Sequence, residues 1–183
     1  MALQFLRPPQ YRRPPGRERS HSMKLIDPVN LHSFYAALGG LLDAPQVQSM
    51  RTLPHHPRTN CFEHSIFVSY VAFRLGRRWG LDWRSCARGG LLHDLYLYNS
   101  HDRTAHPGNQ CLDHPVFALR NASALTPLSD KERNIILAHM WPLATHLPRS
   151  REAWVVSLAD KLCAPLEAMG VWRHLKMRAV LAA

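Results

Sequence analysis

Residues 60–75, NCFEHSIFVSYVAFRL, decide the fold class. Asn60 followed three residues later by Glu63 has the form of a capping box, in which each side chain satisfies a backbone N–H at the start of a helix. His64, Val68, Val71 and Leu75 then recur at i, i+4, i+7 and i+11, one apolar stripe of an α-helix running to about Trp79, with Arg74, Arg77 and Arg78 largely off it. The same reading extends along the chain. Asp82 caps a helix to about Leu95. Its consecutive Gly89 and Gly90 cost helical stability and so mark the close approach of a neighbour. Asp113 caps a helix to about Leu125. Ser129 and Glu132 form a second capping box, for a helix that Pro142 stops, and Ser150 caps one that ends or kinks at Pro165. A short last helix is expected over Val171 to Leu181. No segment alternates with period two between turns, so the expected fold is all-α.

The rest of the composition bounds what the chain can be. At 183 residues, with 46% hydrophobic and 20% charged residues, there is material for one core. Residues 1–22 hold five arginines, one acid and PP twice, and read as a disordered basic tail of charge +4; residues 23–183 form one domain, beginning at Met23. The remaining +6 of the net +10 suits an anionic small molecule as well as ordinary solubility. No aromatic-interleaved basic stripe or zinc-finger pattern argues for nucleic acid, and no apolar run approaches the length of a membrane span. The start, MALQFLRPPQ, has no signal-peptide core, and Cys61, Cys86, Cys111 and Cys163 are widely spaced. Both features point to reduced thiols in a cytoplasmic protein. Residues 96–112, YLYNSHDRTAHPGNQCL, read as a polar loop long enough to suspect a function.

Twelve histidines beside thirteen acids are the most informative count. Five helices each carry a candidate metal ligand on or beside the apolar face: His64, the pair His93-Asp94, His114, His139 and Asp160. Asp160 sits among Val156, Cys163 and Ala164 at helical spacing. A carboxylate there is costly to bury unless a cation accompanies it. Imidazole and carboxylate together suit a divalent transition metal: iron, manganese, cobalt, zinc or nickel.

The order of these residues resembles the HD-domain superfamily of metal-dependent phosphohydrolases. The signature is a histidine on one helix (His64 in NCFEHSIFVSYVAFRL), a consecutive His-Asp on the next (His93-Asp94 in ARGGLLHDLYLY) and a distal aspartate (Asp160 in VVSLADKLCA). A fuller version adds histidines between them, matched by His114 in DHPVFALRNA and His139 in IILAHMWPL. The resemblance covers roughly residues 50–168 and implies an HD-domain bundle of about six to eight helices. It also implies hydrolysis of a phosphate ester or anhydride on a nucleotide or other small phosphorylated substrate, by a metal-activated water. His64, His93, Asp94 and Asp160 would hold one ion, and Asp94, His114 and His139 a second, with Asp94 as the bridge. Arg58, His56 and Lys161 are placed to meet the remaining phosphate charge. His55 either faces the site or is a loop residue. No G-Y-P element follows. The same six-ligand order is similar to that of HD-domain di-iron oxygenases, and a regulatory module without catalysis is a third alternative.

Overall fold

The computed structural model describes residues 28–56, 59–102, 104, 108–170 and 180. Seven α-helices account for most of them: α1 Pro28–Leu38, α2 Pro45–Ser49, α3 Cys61–Arg78, α4 Trp83–Leu92, α5 Gln110–Leu125, α6 Asp130–Ala138 and α7 Arg151–Ala168. Short 3₁₀ turns at Gly39–Asp43 and Met50–Thr52 flank α2. The architecture is the all-α bundle expected. Among the described residues the one exception is a small antiparallel pair, β1 Pro54–His56 and β2 Thr59–Asn60, just ahead of α3. The expected tail at residues 1–22, the start at Met23 and most of the last helix lie outside the described residues.

The capping residues explain where most helices begin. Asn60 accepts from the Glu63 N–H while Glu63 reaches back to the Asn60 N–H, and Ser129 and Glu132 make the same reciprocal pair. The Asp82 side chain accepts from Ser85 N–H, and Ser150 accepts from Ala153 N–H. Two boundaries differ from the sequence reading. Helix α5 starts a turn before Asp113, because Asn109 caps it by accepting from Cys111 N–H. Pro115 then falls inside the helix; the carbonyl it leaves without a helical donor belongs to exposed Cys111, within reach of water. Likewise α7 does not end at Pro165 but continues to Ala168. Helices α4 and α6 stop earlier than expected, at Leu92 and Ala138, each with a histidine as its C-cap.

Helix α3 is the centre of the bundle, packed against α4 and α7; α6 lies on α4 and α7, and α5 on α6. The α3–α4 crossing is tight where the glycines sit. A Cβ on Gly90 would lie 2.8 Å from Ser69 Cα, and one on Gly89 2.6 Å from Ile135 Cγ2 of α6. The Ser69 hydroxyl closes the crossing by donating to the Ala87 carbonyl at 2.6 Å. Around it, Phe34, Leu38, Tyr70 and Phe73 fill the core, with Phe34 edge-on to Tyr70 at 5.2 Å. This crossing brings the first turn of α3 and the end of α4 side by side.

Candidate metal centre

His93 and His139 have equivalent positions in their helices. Each is a C-cap in right-handed helical conformation. The last carbonyls of a helix lack intrahelical donors, and each ring turns back to supply one. His93 Nδ1 donates to the Gly90 carbonyl and His139 Nδ1 to the Ile136 carbonyl, both at 2.7 Å. His114, in the second turn of α5, donates from Nδ1 to the Gln110 carbonyl at 2.6 Å. His64, in the first turn of α3, has its Nδ1 3.0 Å from the Glu167 carboxylate. In all four rings an oxygen engages Nδ1 and so leaves Nε2 as the nitrogen turned toward the cluster, the arrangement that metal-ligating histidines adopt.

The four Nε2 atoms converge on Asp94, which sits in the turn after α4 and is 2% exposed. His93 and His64 face its Oδ2, at 3.4 and 3.8 Å. His114 and His139 face its Oδ1, at 3.3 and 3.5 Å. Asp160 of α7 joins the first pair, its Oδ1 3.1 Å from His64 Nε2 and 3.8 Å from His93 Nε2. All six residues singled out as ligands therefore meet in one place, and the two oxygens of Asp94 divide them into two sets.

The donor set fits divalent metal. Two atoms bound to one ion at about 2.1 Å lie about 3.0 Å apart at a right angle and about 3.6 Å apart at 120°, close to the 3.1–3.8 Å separations seen here. His114 Nε2 and His139 Nε2 approach to 2.8 Å, where two free lone pairs repel unless a cation or proton lies beside them. Among the described residues, His93 Nε2 and Asp94 Oδ1 are buried with no hydrogen-bond partner, which is costly unless something else satisfies them. His64, His93 and Asp94, and separately Asp94, His114 and His139, are grouped closely enough to share an ion.

The local field agrees. Burial opposes charge on Asp94, yet His93 and the other imidazoles hold its carboxyl well below the usual range. Burial, with His93 and His114 alongside, pushes His139 down to about 3, so it faces the cluster neutral. Burial works against charge on His64 as well, but Asp160 and Glu167 outweigh it and carry it up to about 10. A region that draws a proton so strongly onto His64 is one where positive charge is stabilised.

Other residues surround this core. His55 stacks on His64 with ring centroids 4.2 Å apart. Burial, then the neighbouring His64, pushes it down to about 2. His56 lies with Nε2 3.8 Å from Glu167 Oε2. Lys161 donates to the His139 carbonyl at 2.8 Å and to the Ser157 hydroxyl at 3.0 Å. A cavity of about 400 Å³ opens over the cluster, with His56, Tyr96, His101, Gln110, Met140 and Lys161 in its wall. Arg58 lies outside the described residues. Glu167 was missed in the sequence. It is 1% exposed, also accepts from Thr59 Oγ1 at 3.3 Å, and so ties the hairpin to the centre. The signal available was an acid seven residues after Asp160, on the same face of α7.

Fold and site together define a class: an all-α bundle around a buried His/Asp cluster suited to divalent metal. The chain belongs to the HD-domain family, whose model matches residues 61–164, and HD domains bind divalent metals. The match contains all six cluster residues, while His55, His56 and Glu167 fall outside it. No curated protein and no solved structure matches the chain. Among the described residues no helix is long and apolar enough to cross a membrane.

Proposed function

We propose that this protein is a metal-dependent phosphohydrolase acting on a phosphate ester or anhydride of a small phosphorylated molecule, a nucleotide among them. The observation that carries this reading is the split of ligands across Asp94, with His64 and His93 at Oδ2, where Asp160 faces both rings, and His114 and His139 at Oδ1. A carboxylate shared in this way suits two ions side by side. Bound divalent metal supplies Lewis acidity toward phosphoryl oxygens and brings the pKa of a water toward neutrality.

The chain's own residues do the rest. The four Nδ1 hydrogen bonds hold the imidazoles in one tautomer and orientation, so no reorganisation is needed when substrate arrives. Lys161 and His56, in the cavity wall, offer donors to the phosphate oxygens not being attacked. Arg58 is assigned to the same phosphate on sequence grounds. Tyr96, Met140 and Leu143 give the cavity an apolar wall for the organic part of the substrate. No protein nucleophile is required, and Cys61 is unsuited to be one, because burial raises its thiol well above the ordinary range.

Protein purified without chelator tests the proposal by metal analysis and a phosphatase panel over nucleotides and small phosphate esters. The expected result is phosphate release that stops on chelation and returns with added divalent metal. Lys161→Ala should lower kcat/KM about tenfold, since a charge-assisted hydrogen bond contributes roughly 1.5–3 kcal/mol. Two bound irons, O₂ consumed with a small organic substrate and no phosphate released would overturn the hydrolase in favour of the oxygenase. Ligand binding without turnover would assign a regulatory module.

A further inference from the structure

The four cluster histidines share two properties: an Nδ1 engaged by an oxygen, and an Nε2 between 3.3 and 3.8 Å from an Asp94 oxygen. His55 has both. Its Nδ1 is 3.3 Å from the Tyr96 hydroxyl, and its Nε2 is 3.6 Å from Asp94 Oδ2, the oxygen that His64 and His93 face. We propose that His55 is a further metal ligand, joining His64, His93, Asp94 and Asp160 around one ion. This inference rests on the reading of the cluster as a metal centre.

The distance favours a shared ion over a direct contact. At 3.6 Å an N–H···O hydrogen bond is not made, whereas two donors to one cation stand about that far apart. The backbone supplies the reason that His55 points inward. Pro54 pairs with Asn60 and His56 with Thr59, so two steps along β1 match one along β2. His55 is thus the extra residue of a bulge, a device that re-aims a side chain. The hairpin is pinned to its neighbours: the Cys61 N–H donates to the Leu53 carbonyl at 2.9 Å, and Thr59 is held by Glu167. His56 serves as a contrast within the same hairpin. Its Nε2 faces the Glu167 carboxylate, not Asp94, and it lacks the second property.

The consequence is a crowded, nitrogen-rich ion. Three imidazoles and two carboxylates would leave one position of an octahedron for water or a substrate oxygen. That set favours iron, cobalt, nickel or zinc over magnesium.

Metal-depleted full-length protein titrated with Co²⁺, followed by calorimetry and by the visible d–d spectrum, tests the assignment without reference to activity. His55→Ala should bind the tighter Co²⁺ at least ~10-fold more weakly and change the spectrum in the direction of lost nitrogen coordination. His55→Gln, which keeps bulk against His64 but offers no imidazole, should behave in the same way and covers a folding defect in the alanine variant. His64→Ala, measured beside them, sets the scale for losing a ligand. Wild-type affinity and spectrum in both His55 variants, with His64→Ala impaired, would overturn the role of His55 and leave the centre standing. Absence of Co²⁺ binding by the wild type would overturn the centre itself.

Discussion

The two oxygens of Asp94 look out on differently built halves of the same centre. On the Oδ2 side, His64 and His93 are joined by Asp160, with Glu167 behind His64. These side chains come from α3, α4 and α7. On the Oδ1 side stand His114 and His139, from the adjoining α5 and α6, with backbone carbonyls behind their rings. Among the described residues, one half therefore carries two carboxylates besides Asp94, and the other none. Since negative charge stabilises a divalent ion directly and through the basicity of its imidazoles, the Oδ2 half should hold its ion more tightly. The Oδ1 half depends on Asp94 itself.

The most disruptive change is one that both halves share. Asp94→Ala should abolish metal binding on both sides and bring phosphate release to background, checked by elemental analysis and the phosphatase panel. Retention of one ion at wild-type affinity would show that the halves are independent. Glu167→Gln separates them. It keeps an acceptor near His64 Nδ1 but removes the charge, so the tighter ion should bind about 10–100-fold more weakly while the weaker one is unmoved. Calorimetric titration reads both steps, and equal weakening of the two would contradict the division. The smallest effect on the centre should come from Gly90→Ala. Its new Cβ meets Ser69 Cα, a backbone atom that cannot turn aside. Overpacking of this kind costs about 1–3 kcal/mol, to be read from urea unfolding of the metal-free protein.

The same contrast governs what could be read in advance. All six cluster residues were legible, because in the sequence each falls on or beside the apolar face of a helical pattern, where a polar group needs a reason. The capping boxes at Asn60 and Ser129 were legible as local three-residue pairs, and Gly89-Gly90 announced the close packing with Ser69 and Ile135. What the Oδ2 half draws from outside its helices was harder. Glu167 is 103 residues from His64 and lies beyond Pro165, where a helix is expected to stop. The proline is accommodated and α7 carries Glu167 inward. The hairpin Pro54–His56 with Thr59–Asn60 is too short to show alternation, and the sequence carries no mark of the bulge that makes His55 its extra residue. Asn109 was hidden in a polar loop in which several residues could cap a helix.

Counting ions in wild type and His139→Ala side by side tests the central claim most directly. Both proteins would be saturated with one divalent metal, freed of excess and subjected to elemental analysis, with phosphate release measured on the same samples. A dinuclear centre bridged by Asp94 predicts two ions per chain in the wild type, close to one in His139→Ala, and most of the activity lost with the second. A wild type that saturates at one ion, with His139→Ala fully active, would contradict it.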